Sequence, residues 1–179
     1  LSGTNSLTAF NSDGFSIGNG TFINQSSQGY VAWCWKAGTS FSNDASATSI
    51  GSIDSSGSAS DTAGFSIVSY TGTGTAGTIK HGLSSAPLIT LIKQTSSGGT
   101  GSGAWNFITY QIDGTSDELT LNGTGAKADR SITAPTTSVF SVDTSDERND
   151  SSQTYICYTF AEKQGFSKFG KYTGNGNAD

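Results

Sequence analysis

One stretch of this sequence occurs twice. Phe15-Ser-Ile leads into Asn24-Gln-Ser-Ser-Gln-Gly-Tyr30-Val, and Phe140-Ser-Val leads over the same distance into Asn149-Asp-Ser-Ser-Gln-Thr-Tyr155-Ile. The alignment needs no gap and keeps Phe, Ser, Asn, Ser, Ser, Gln and Tyr. A shorter echo relates Gly64-Phe-Ser-Ile-Val-Ser-Tyr70-Thr-Gly-Thr-Gly74 to Gly165-Phe-Ser-Lys-Phe-Gly-Lys-Tyr172-Thr-Gly-Asn-Gly176, with one residue added. Repetition of this kind constrains the fold, because each copy of a supersecondary unit takes the same local structure and is completed by its neighbours. It divides the chain into 1–38, the C-terminal part of a preceding repeat unit; 39–63, a Ser/Gly-rich linker or loop; 64–161, the main unit; and 162–179, the start of a following unit or a completing strand.

The fold class expected is all-β, an antiparallel β-sandwich of jelly-roll type flanked by pieces of adjacent repeat units. Twenty-four Gly, only two Pro and many short apolar runs speak for strands and turns rather than helices. Ten Phe, six Tyr and three Trp supply the core material that a disordered Ser/Gly chain would lack. Strands are expected at Gly64–Tyr70, Pro87–Lys93, Ala104–Ile112, Ser131–Thr133, Ser138–Val142 and Tyr155–Phe160. Gly29-Tyr-Val-Ala-Trp-Cys-Trp-Lys36 reads as a strand committed to a core, the closing strand of the preceding unit and the counterpart of Tyr155–Ala161. Val31, Trp33 and Trp35 then share one face. Cys34 and Cys157 fall on the same face of the two related strands, which predicts buried free thiols rather than a disulfide framework.

A net charge of −5 with scattered Lys and Arg argues against a nucleic-acid partner, which needs clustered cations. No apolar run reaches membrane-spanning length, so membrane insertion by a helix is not expected. The sequence starts at Leu1 and contains no Met, which fits a piece of something longer.

Several motifs carry chemistry on paper. Gly14-Phe-Ser-Ile-Gly18 matches a nucleophile elbow, with Asp54 or Asp61 and His81 following in order, but an elbow needs a strand-to-helix turn and a second short strand follows instead. Gly72-Thr-Gly-Thr-Ala-Gly77 and Gly99-Thr-Gly-Ser-Gly-Ala104 match a dinucleotide fingerprint, yet neither opens a credible helix, and both read as hairpin loops. No catalytic residues are therefore assigned, and an enzyme is not expected. His81 is the only histidine and is assigned a turn role. Asp143, Asp146 and Asp150 form an oxygen-rich loop for which Ca2+ is the one ion to consider, although the spacing and glycine of a calcium loop are missing; no other cofactor is expected. Trp105 and Tyr110 are the candidate ligand-binding residues, as a sugar-stacking platform on a strand that is apolar on both faces. Either central burial or packing against a neighbouring unit would explain that strand.

Taken together, Phe10-Asn-Ser-Asp-Gly-Phe-Ser-Ile-Gly18, Tyr30-Val-Ala-Trp-Cys-Trp-Lys-Ala-Gly38, Ala63–Gly74, His81-Gly-Leu, Ala86-Pro87, Ala134–Phe140, Tyr155–Ala161 and Gly165–Gly176 resemble a repeated domain of uncharacterised function. That domain is found in virion proteins of the tail-fibre or appendage type in marine bacteriophages. The resemblance spares the 39–62 stretch. In that family a Trp-Lys-Ala-Gly segment closes one unit and Gly-Phe-Ser-Ile-Val opens the next, and Thr159 stands where the family usually has Cys. The resemblance implies a structural virion protein, located on the virion or outside the cell. It would form a homo-oligomer or fibre with other virion proteins and contact the host surface, with a surface glycan as a further partner. The alternative from the residues themselves is a carbohydrate-binding module of a secreted or cell-surface protein.

Overall fold

The computed structural model describes residues 6–101 and 103–177. The chain divides into two compact units, one ending at Trp35 and the other beginning at Lys36.

In the first unit, strands β1 (Leu7–Phe10) and β2 (Phe15–Ile17) form an antiparallel hairpin with Phe10 opposite Phe15. The Asn11-Ser-Asp-Gly14 turn closes it, the Asn11 N–H donating to the Gly14 carbonyl at 2.8 Å. A single helical turn, α1 (Thr21–Asn24), follows. The strand expected at Gly29–Lys36 does not form: residues 25–38 belong to no strand, and Tyr30, Val31, Trp33, Cys34 and Trp35 are exposed. An apolar run becomes a strand only when neighbouring backbone satisfies its N–H and C=O groups. Among the described residues, none pairs with this stretch in a sheet. The expectation that Cys34 is buried fails with it.

The second unit is an antiparallel sandwich of unequal layers. Its strands are β3 (Thr39–Asn43), β4 (Ser55–Ser60), β5 (Phe65–Thr71), β6 (Gly77–Lys80), β7 (Ile89–Gln94), β8 (Trp105–Thr109), β9 (Ser116–Thr120), β10 (Ala128–Arg130), β11 (Val139–Val142) and β12 (Thr154–Phe160). Single helical turns α2 (Ala45–Thr48) and α3 (Asp146–Asn149) interrupt them. Eight strands make the large sheet, in the order β10-β9-β8-β7-β12-β5-β4-β3. The second layer is the β11-β6 pair with Ile53, which bridges to Ile79. Val68, Tyr70, Ile92, Ile108, Tyr155 and Cys157 from the large sheet meet Ile79, Phe140, Val142, Ile53 and Ile132 in one core. The alternation of these positions along each strand is what directs one face inward. Burial pushes the Cys157 thiol well above its ordinary range.

Residues 39–63 are not a linker or a surface loop. They supply the two outermost strands of the sheet, with β4 laid along β5 from Ser55↔Tyr70 to Ser60↔Phe65. Ser, Gly and Ala side chains bury too little to mark a strand by pattern, so backbone pairing along the edge of β5 makes this one. Gly57 is required there, because a Cβ at that position would stand 2.1 Å from the Ile67 carbonyl oxygen. Asp44 caps α2 by accepting from the Ala47 N–H at 3.0 Å.

Of the two glycine loops expected as hairpins, Gly99–Ala104 does join the paired strands β7 and β8, although its Ser102 lies outside the described residues. Gly72–Gly77 instead carries the chain from the large sheet across to β6 in the other layer. The strand expected at Ser131–Thr133 lies slightly earlier, at β10.

Candidate functional site

The inward face of the large sheet is sealed by the second layer; its outward face carries aromatic side chains. Register fixes which ones. Trp105 lies opposite Lys93, Lys93 opposite Ile156, Tyr158 opposite both Leu91 and Ile67, and Phe160 opposite both Ile89 and Phe65. The rings form a band across β8, β12 and β5. Trp105 stacks on Tyr158 with centroids 6.3 Å apart, and Tyr158 on Phe65 at 6.4 Å. Phe65 meets Phe160 at 5.1 Å, and Phe169, from the segment after β12, meets Phe160 edge-on at 6.4 Å. The Lys93 ammonium sits 6.0 Å from the Trp105 ring centre, within cation–π reach. Trp105, Tyr158 and Phe160 are each only partly buried. Such a band can stack against flat apolar surfaces, whether sugar faces or the side chains of another protein module.

Of the two expected ligand-binding residues, Trp105 belongs to this face. Tyr110 does not: it packs against the core and donates its hydroxyl to the Ile132 carbonyl. The signal for the rest of the band was the alternation of Ile156, Tyr158 and Phe160 along β12. It was hidden because Tyr155 and Cys157 between them are equally apolar and face the core.

The acidic loop does not gather into a cation site. Asp143 holds Arg148 through two hydrogen bonds, Nε at 2.7 Å and Nη2 at 2.8 Å. Asp146 accepts from the Thr100 hydroxyl. Asp150 lies beside Gly99, where its carboxylate would stand 2.6 Å from an added Cβ. Arg148, 1% exposed, also bonds Glu118 and Asn106, and Arg130 closes on Glu118 with two bonds of 3.1 Å. Burial alone would raise the Asp143 carboxyl, but the donors Arg148 and Ser145 outweigh it and hold it below the usual carboxylate range. Every charge in this buried network has a partner, as burial demands, and its effect is to fix α3 and β11 against β8 and β9.

The carboxylates that do converge are Asp113, Asp117 and Asp129, whose oxygens lie within 4.8 Å of one another. Lys127 places its ammonium among them, 2.7, 2.6 and 2.5 Å from the three. The bonds to Asp113, then Asp117 and Asp129, raise the lysine pKa, and Lys127 in turn, followed by Thr115, lowers that of Asp113. The ammonium thus takes the position a cation would need.

His81 is fully buried, accepting from the Leu83 N–H at 3.1 Å and facing the Thr136 carbonyl at 3.1 Å. This is the expected turn role. Ser16, the serine of the elbow-like motif, lies within β2 with its hydroxyl bonded to the Asn11 side chain.

The most informative geometry is a clasp. The hydroxyl of Tyr155 donates to the Asp146 carbonyl at 2.7 Å and accepts from the Asp150 N–H at 2.8 Å, closing the turn between α3 and β12. Asn149, inside that turn, bonds the Asp143 and Thr75 carbonyls and the Thr73 N–H. The Gly74 N–H donates to the Asn149 carbonyl, while Gly72 and the 152–153 backbone exchange two further bonds. The loop after β5 is thereby locked onto the turn before β12.

The family model for a domain of unknown function, DUF7483, matches residues 1–179. The chain belongs to that family. No curated protein and no solved structure matches it. Membership in DUF7483 names neither a reaction nor a ligand, so the functional reading rests on the geometry above.

Proposed function

We propose that this chain is a structural module of an extended fibre, of the tail-fibre or surface-fibre kind carried on a virion, that works through apolar surfaces between repeated sandwich units and at the host surface. The observation that supports this reading most is the reuse of one turn module inside the chain. Residues 18–30 repeat the turn-closing hydrogen bonds of residues 143–155, although only the second copy is built into a sandwich. The partly open aromatic band extends the argument, since units in a row need a lateral face to bury.

Electron microscopy of the purified chain, and immunogold labelling of virions that carry it, tests the proposal. Elongated assemblies and label on appendages are expected; round single particles and unlabelled virions would contradict it. One observation favours a second reading, a carbohydrate-binding module: Trp105, Tyr158 and Lys93 form a half-open stacking surface. Glycan-array binding that Trp105→Ala abolishes, by a chain that stays monomeric, would replace the fibre reading with that one.

A further inference from the structure

The two echoes of the sequence are the two sides of one interface. In the second unit, β5 and β12 pair over their whole length, from Phe160↔Phe65 to Thr154↔Thr71, and the loop after β5 is clasped by Asn149. The counterpart of the β12 side is residues 15–36, and the counterpart of the β5 side is residues 165–176.

The first is present in preformed shape; the second keeps the glycine conformations of its counterpart, while its residues 163–167 are closed into a turn by backbone bonds between Lys163 and both Phe166 and Ser167. Tyr30 donates its hydroxyl to the Thr21 carbonyl at 3.1 Å and accepts from the Gln25 N–H at 2.9 Å, as Tyr155 does with Asp146 and Asp150. Asn24 Nδ2 bonds the Gly18 carbonyl at 2.8 Å, as Asn149 Nδ2 bonds that of Asp143 at 2.8 Å. Ser27 and Ser152 share a left-handed φ of 65°. On the other side, Gly165 has φ +86° where Gly64 has +66°, and Gly176 has +76° where Gly74 has +71°.

What differs is completion. Tyr155 is 0% exposed and Tyr30 50%; Tyr70 is 3% exposed and Tyr172 95%; Phe65 is 4% exposed and Phe166 65%. Trp33 is 77% exposed. Residues 29–36 and 168–175 lie outside every strand. Asn24 Oδ1 and the Gln28 carbonyl accept no bond among the described residues, whereas Asn149 Oδ1 accepts from the Thr73 N–H and the Gln153 carbonyl from the Gly72 N–H.

We propose that residues 165–176 of one copy of this chain pair antiparallel with residues 29–36 of a second copy, rebuilding the β5–β12 ladder and its clasp in trans. This names the joint of the fibre proposed above and rests on that reading. The register is inherited from the paired strands: Trp35 opposite Phe166, Cys34 opposite Ser167, and Tyr30 opposite Tyr172, with the added residue absorbed as a bulge. Gly174–Gly176 then reach Asn24 as Gly72–Gly74 reach Asn149. The partner is another copy because each chain carries both halves, so the contact is heterologous and propagates head to tail. Entry into the joint costs the tail the backbone bonds that tie Phe166 and Ser167 to Lys163, the bonds from the Ser167 hydroxyl to the Ala161 carbonyl and from the Phe169 N–H to Glu162, the contact between Phe169 and Phe160, and the bond from Lys171 to the Ile112 carbonyl. A ladder and buried aromatic faces are gained in return.

The register supplies its own test. Ser66 and Thr159 face each other with hydroxyl oxygens 2.7 Å apart, and Cys34 and Ser167 hold the equivalent positions. Cys34 is exposed and Cys157 buried, so one native thiol is accessible. In a Ser167→Cys variant of the whole chain, mild oxidation of mixed 14N- and 15N-labelled protein should give a disulfide from Cys34 to the introduced thiol. Peptides of mixed label should show it joins two chains, and higher oligomers should appear on non-reducing gels. Lys168→Cys, one position out of register, should cross-link at least tenfold less. Val31→Pro, in a segment outside any sheet, should leave the chain folded and suppress the cross-link of Ser167→Cys by a similar factor. Cross-links confined within single chains, or no preference for position 167, would overturn the joint. Rod-like assemblies seen without the cross-link would overturn the joint and spare the fibre; a chain that is monomeric throughout and forms no cross-link would overturn both.

Discussion

The two copies of the turn module, 15–30 and 140–155, compare like with like. Backbone hydrogen bonds, the single helical turn, the left-handed serine and the tyrosine that closes the turn coincide between them. Their surroundings do not. In the second copy the helical turn carries Arg148 into a buried network, Asn149 grips the loop after β5, and the strand that follows lies between β5 and β7. In the first, Ile23 takes the place of Arg148, and the following residues 29–36 lie in no sheet. Local sequence therefore suffices for the turn, and the strand depends on neighbours. This is the division of labour expected when side-chain-to-backbone bonds act locally and β-pairing does not.

Paired substitutions should expose that division. The largest difference is expected between Arg148→Met and Ile23→Ala. The first leaves the half-buried Asp143 and the buried Asn106 without their guanidinium partner and Glu118 with Arg130 alone, and should cost about 3–4 kcal/mol in urea unfolding of the second unit; the second should cost under about 1 kcal/mol. Asn149→Ala removes three side-chain hydrogen bonds in the clasp and should cost about 2–3 kcal/mol, whereas Asn24→Ala removes one exposed bond and should cost about 0.5 kcal/mol.

Acid should act on the second unit in two steps. His81 is held neutral chiefly by burial, with its pKa below the ordinary value, so stability is full above about pH 6.5 and declines as pH falls from there toward the folded value. Asp143, also depressed in the folded state, gives stability that is full above about pH 3.9 and is lost as pH falls through its folded value. Unfolding curves across pH should show both slopes. His81→Gln should flatten the first and Arg148→Met the second.

The smallest effect should be the same in both copies. Ser27→Gly and Ser152→Gly relieve one left-handed residue each, for at most about 1 kcal/mol of stabilisation. Local amide exchange around each turn would register the two gains, and unequal gains would break the claim that the turns are locally encoded.

The sequence made the repeat, the all-β class and the strands β5, β7, β8 and β12 readable, because these strands are rich in β-branched and aromatic residues. It hid β3 and β4, whose Ser, Gly and Ala side chains follow no apolar period and which form by pairing along β5. It misled at Gly29–Lys36, where the pattern of a buried strand is intact and none of the described strands pairs with it. The aromatic band was half legible through Trp105. Phe65, Tyr158 and Phe160 join it only through the register of strands distant in sequence. The networks around Arg148 and Lys127 were illegible for the same reason, since their members come from separate strands and loops.

Gly29–Lys36 carries the pattern of a closing strand and pairs with none of the described strands. Amide hydrogen exchange on the whole chain, dilute and concentrated, shows whether a second copy completes it. In dilute solution residues 154–160 should be strongly protected while residues 29–36 exchange as open chain, and concentration should bring protection to 29–36 together with 166–172. Protection of 29–36 in dilute solution equal to that of 154–160, or none at any concentration, would contradict the account.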